Sequence, residues 1–181
     1  MRRWFYLVVA LQILFLVAEV GTNEMRLSRG RTVILRVAPV DPRSLFMGHY
    51  IWLSYDITSL DLRKVRCSSS IETSRPGATV YVGLLPEKPW AKPVSVETSL
   101  DAGRDPAPVY LRGTVSYSHD SSISVDYGLE RYYIPEAKRE KANRMMWGLK
   151  GRPIITVEVV VDESGGSLIR RVLVNGKPLG F

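Results

Sequence analysis

At 181 residues with a net charge of +7, two histidines and one cysteine, the chain is long enough for one domain with a proper core and too short for two comfortable ones. A lone cysteine excludes an intrachain disulfide and a thiolate metal cage, and two histidines argue against a histidine-rich metal site, so no cofactor is expected. Arg2 and Arg3 balance Glu19 and Glu24, which leaves the whole positive excess to the rest of the chain. It is scattered in ones and twos (Arg63, Lys64, Arg66; Lys138, Arg139, Lys141) and carries no DNA- or RNA-binding signature, so nucleic acid is not an expected partner.

Trp4 to Val20 reads WFYLVVALQILFLVAEV, seventeen residues interrupted by Gln12 and Glu19. At ~1.5 Å per residue the run reaches roughly 26 Å, the lower limit for a spanning helix. Arg2 and Arg3 precede it, so the positive-inside bias predicts a cytoplasmic N-terminus and an exported remainder. A cleaved signal peptide has the same start, but Leu16 before Ala18 and Glu19 before Gly21 make a poor cleavage pattern, and a retained anchor over 1–23 is favoured. A buried cytosolic helix fits less well, because the run is apolar on every face.

Gly21 to Arg31 reads as a short polar connector that can continue the helix for a turn or two. From there the period changes to two. Thr32 to Val37 and His49 to Ile57 alternate, the second with Ile51, Leu53, Tyr55 and Ile57 on one face and Tyr50 and Trp52 on the other. Further strands are predicted at Thr79 to Leu85, Val94 to Glu97, Val109 to Tyr117, Ile123 to Tyr127, Ile154 to Val161 and Leu168 to Val174. The last two flank Asp162-Glu163-Ser164-Gly165-Gly166, a loop suited to closing a hairpin. Eight short strands predict a mainly β domain over 24–181, an antiparallel sandwich or barrel. The proline-rich stretches Glu87 to Pro93 and Ala102 to Pro108 predict exposed loops. One short helix is predicted from Pro135 to Trp147, with Pro135 in its first turn and Gly148 as its cap.

The stretch from Pro39 to Ile57 contains Gly48, His49, Tyr50, Leu53 and Tyr55 in an arrangement that closely resembles the signature of the GDYXXLXY family of bacterial membrane-anchored proteins, with His49 in place of the aspartate. Val109-Tyr110-Leu111-Arg112-Gly113 is similar to that family's mid-domain strand, and Tyr127 to Glu136 to its second block. The resemblance covers most of residues 24 to 178. It implies a bacterial source, an anchor in the cell inner membrane with an extracytoplasmic domain, and work beside a multi-pass membrane protein.

Read physically, the signature is a turn feeding a strand, with Arg43 to Met47 forming one tight helical turn between Asp41-Pro42 and Gly48. Its aromatic content is explained either by two-sided sheet packing or by a ligand surface. Glu130-Arg131-Tyr132-Tyr133 is the second candidate: its carboxylate and guanidinium either neutralise each other or meet cross-strand partners. The candidate interaction surface is therefore Arg43, Gly48, His49, Tyr50, Trp52, Glu130, Arg131 and Tyr132, and no residue is assigned a catalytic role.

An anchor, a serine before a glycine-led strand and a later basic residue are similar in layout to type I signal peptidases, which use a Ser nucleophile and a Lys base. Ser44 lies only four residues before Gly48, the position eight before is Val40, and the later basic residue is Arg112, which does not give up its proton. The expectation is an accessory or interaction module and not an active hydrolase. The sequence leaves its oligomeric state open.

Overall fold

The structure is a computed structural model that describes residues 2–38, 46–47, 50–67, 75–100, 108–119, 121–137, 140 and 153–179. It is mainly β, with one long apolar helix at its start.

Helix α1 covers Arg2–Arg29, 28 residues, ~42 Å at 1.5 Å per residue. Its Arg3–Met25 portion, 23 residues, is long and apolar enough to cross a bilayer. Its Leu7, Leu11, Leu14 and Phe15 are exposed, so nothing among the described residues covers these side chains. The stretch expected to be a connector is helical to Arg29. Thr22 and Ser28 turn their hydroxyls back onto the carbonyls of Glu19 and Met25, which lets polar residues stay in the helix. Gly30 alone separates the helix from strand β1 (Arg31–Arg36), so the β domain is joined to the helix with almost no slack.

The alternating segments form strands where expected: β6 (Thr79–Leu85), β7 (Lys92–Glu97), β8 (Val109–His119), β9 (Ser122–Asp126), β11 (Ile155–Val161) and β12 (Ser167–Val174). β11 and β12 make the predicted antiparallel hairpin, closed by Asp162, whose carboxylate accepts from the backbone N–H groups of Ser164 and Gly166. Five strands of two or three residues escape a period-based reading: β2 (Phe46–Met47), β4 (Ser59–Asp61), β5 (Arg66–Cys67), β10 (Arg131–Tyr133) and β13 (Lys177–Pro178). Phe46 and Met47 are thus extended, not part of a helical turn, because they pair with strand β3 (Tyr50–Trp52). Pro93 also belongs to a strand and not to an exposed loop. It sits opposite Leu84 where the β6–β7 register shifts, a place where a missing N–H costs little, while Ala91 beside it is buried. Of the predicted helix, Pro135 is not helical, Glu136, Ala137 and Glu140 are, and residues 138–139 and 141–147 lie outside the described residues, as do 102–107.

The strands make three sheets, ordered β1-β11-β12-β13, β10-β3-β2 and β4-β9-β8-β6-β7-β5. Every pairing is antiparallel except β5 with β7, which places the exposed Cys67 on a sheet edge. The inner faces contribute to one apolar core, with Val33, Leu35, Val157 and Val172 from the first sheet and Val80, Val82, Leu111 and Val125 from the third. Several backbone links tie the sheets together. A bridge joins Val37 to Tyr55, and the Arg112 N–H on β8 donates to the Gly165 carbonyl in the β11–β12 turn at 2.9 Å.

Candidate functional site

The signature segment does not run as one strand from His49 to Ile57, yet its alternation survives. β3 ends at Trp52, and a tight turn follows Tyr55, where Thr58 donates its N–H to the Tyr55 carbonyl and accepts the Tyr55 N–H on its hydroxyl. Ile51 and Leu53 are wholly buried, Tyr55 is 2% exposed and Ile57 is buried beside them. Tyr50 and Trp52, one residue out of phase, are 47% and 41% exposed. The signature's leucine and second tyrosine are core residues, and its first tyrosine is a surface residue.

Tyr55 is held by a partner far along the chain. Its hydroxyl donates to the Leu129 carbonyl at 2.8 Å, and the hydroxyl of Tyr127 donates to the Ile57 carbonyl at 2.7 Å. Each tyrosine therefore reaches the carbonyl two residues beyond the other, and the two bonds clasp the signature turn to the turn before β10. The second turn is set by Gly128, at φ 74°, and by Glu130, whose carboxylate accepts the Tyr127 N–H. Leu53 N–H donates to the Glu130 carbonyl at 2.7 Å and extends the β3–β10 ladder by one rung. Burial, helped by the negative charge of Glu130, pushes both phenols well above their usual range, so both remain donors.

The outer face of this ladder is built by register. Tyr133 stands opposite Tyr50 and Arg131 opposite Trp52, with Tyr132 opposite Ile51 between them. The Tyr50 and Tyr133 rings meet edge to face at 5.9 Å, and the Arg131 guanidinium lies over the Trp52 ring at 5.7 Å. Tyr133 is 57% exposed, so one cross-strand aromatic pair and one cation–π pair stand open on one face. At the end of β1, Arg36 is held between the Trp90 ring at 4.6 Å and Asp56 at 3.6 Å, which fastens β1 to the signature turn.

The expected surface is thus brought together in part. Tyr50, Trp52 and Arg131 form one face. Tyr132 points the other way and packs against the core, and the Glu130 carboxylate serves the turn. Tyr133, absent from the candidate set, takes the outward position opposite Tyr50, an assignment made by the pairing of β10 with β3 and not by any period that three residues could display. Arg43, Gly48, His49 and Ser44 lie outside the described residues. Arg112 projects outward from the third sheet.

The family model described as GDYXXLXY protein matches residues 12–172, which takes in the end of the helix, the signature turn, β8 and the clasp. No curated protein and no solved structure matches the chain.

Proposed function

Because the chain belongs to the GDYXXLXY protein family, we propose that it is a membrane-anchored accessory module that presents the aromatic face of its β10-β3-β2 sheet to a membrane-protein partner. The observation that carries this reading is the division of labour within the signature: Leu53 and Tyr55 build the core, and the exposed positions beside them hold Tyr50, Trp52, Arg131 and Tyr133. Trp, Tyr and Arg are the residues that dominate binding energy at protein interfaces. A helix whose apolar surface no described residue covers supports the anchor, and the single-residue join supports a domain held close to the bilayer, where tethering raises its effective concentration against membrane partners.

The test is recovery of partners from membranes solubilised in mild detergent. Trp52→Ala and Tyr50→Ala should each cost about 1 kcal/mol of stability or less, as exposed positions do, and should lower recovery of a co-purifying multi-pass protein by ~10-fold or more. Equal recovery by wild type and both variants overturns the proposed face. So does unfolding of Tyr50→Ala, which makes both sides of the strand structural.

We place the β domain outside the cytoplasm, with Arg2 and Arg3 holding the N-terminus inside. One observation favours the reverse orientation: Arg26, Arg29 and Arg31 follow the apolar run, three against two. Short flanking charges decide less when a whole folded domain follows, because long domains cross largely regardless of charge. A reporter active only outside the cytoplasm, fused after Phe181, should be active, and the full chain should resist carbonate extraction. A silent reporter on a carbonate-resistant chain would establish the reverse topology, and a soluble mature chain starting near residue 19 to 25 would replace the anchor with a cleaved signal.

A further inference from the structure

A groove of about 560 Å³ lies on the outer face of the third sheet, and none of the residues of the aromatic face lines it. Register assembles it from side chains that are far apart in sequence. Thr79 on β6 is opposite Thr114 on β8, which is opposite Asp126 on β9, and Tyr81 is opposite Arg112. All five project outward because the residues alternating with them, Val80, Val82, Leu111, Val115 and Val125, are in the core.

A polar outer face is the ordinary state of an antiparallel sheet. Two features set this one apart. Its concavity has the volume of a small-molecule site. Among the described residues, no ion pair takes up either the Arg112 guanidinium or the Asp126 carboxylate, although opposite charges on neighbouring strands commonly pair. The backbone beneath Arg112 is also fixed. β9 pairs with β8 only from Thr114 onward, and at Arg112 the β11–β12 turn occupies that edge through the Gly165 carbonyl. Gly165 is suited to this by its φ of 80°, and a side chain there would press on the backbone of β8. Arg112 is therefore presented from a braced strand, which lowers the cost of binding through it.

One guanidinium, one carboxylate, the hydroxyls of Thr79 and Thr114 beside Thr98, and the Tyr81 ring define the chemistry of a ligand. A phosphate-rich polyanion is disfavoured by Asp126, and an apolar ligand finds little to cover. We propose that this groove binds an acidic saccharide. The sugar carboxylate takes the planar donors of Arg112, ring hydroxyls donate to Asp126 and exchange hydrogen bonds with Thr79 and Thr114, and the C–H face of the ring lies on Tyr81.

Calorimetric titration of the full chain in detergent micelles tests this with two probes of equal length, a tetramer of α-1,4-linked galacturonic acid and a neutral tetramer of α-1,4-linked glucose. The acidic tetramer should bind saturably and the neutral one about tenfold more weakly or worse. Arg112→Gln should weaken the acidic probe by ~10-fold or more, and Asp126→Asn should weaken it too, in both cases with an unchanged melting temperature because the side chains are exposed. Arg170→Gln, an equally exposed change on β12, should leave binding intact and so exclude a response to the net charge of +7. Absence of saturable binding, equal binding of the neutral tetramer, or the same loss with Arg170→Gln overturns the proposal.

Discussion

Tyr55→Ala is expected to destabilise the domain by ~3–5 kcal/mol, enough to leave a marginal protein largely unfolded and open to degradation. The side chain is 2% exposed, so its deletion opens a cavity in the core as well as stranding a carbonyl. Its hydroxyl bond to Leu129 spans 74 residues, and the reciprocal bond from Tyr127 to Ile57 spans 70. Tyr55→Phe separates the two contributions: it keeps the ring and leaves the buried Leu129 carbonyl without its donor, at about 1–3 kcal/mol. Tyr127→Phe should behave alike, through the Ile57 carbonyl. Urea unfolding of the full chain in micelles, followed by tryptophan fluorescence, measures all three. A Tyr55→Ala protein within 1 kcal/mol of wild type would mean that the clasp contributes nothing to the fold.

The second large effect is a loss of stability in alkali. A free tyrosine ionises near pH 10, whereas burial first and the charge of Glu130 second hold the phenols of Tyr55 and Tyr127 protonated well above that. Above pH ~10 the folded chain therefore binds more protons than the unfolded one, and stability falls as pH rises. The contribution is fully present below pH 10 and declines above it by ~1.4 kcal/mol per pH unit for each tyrosine, about 3 for the pair. Unfolding midpoints from pH 8 to about pH 11.5 should trace this slope. Each Tyr→Phe variant should remove roughly half of it, and an alkaline limb unchanged in the double variant would show that other groups cause it.

The clasp gives the family's second tyrosine a physical reason. A phenylalanine fills the same volume but leaves a turn carbonyl unbonded, and the turn after Tyr55 is where the chain leaves β3 to start β4. The aromatic face depends on the same construction. Tyr50 and Trp52 face solvent because Ile51, Leu53 and Tyr55 are committed to the core, and a shift of one residue would exchange the two sets.

The amino-acid sequence by itself determined the long apolar helix, the places of eight strands though not the length of the signature strand, the β11–β12 hairpin and the inward and outward faces of the signature. Those are local matters: periodicity, turn chemistry and a continuous apolar run are written within a dozen neighbouring residues. The tertiary structure alone decided the rest. Strands of two or three residues, such as β4 and β5, are too short to display a period and exist because a longer neighbour, β9 or β7, supplies their hydrogen bonds. Tyr132 and Tyr133 are adjacent and chemically identical, and only the pairing of β10 with β3 sends one to the core and the other to the surface beside Tyr50. The Tyr55–Tyr127 clasp and the groove of Arg112, Thr79 and Asp126 join segments tens of residues apart, and such meetings follow from how sheets stack on a shared core, which no local pattern encodes.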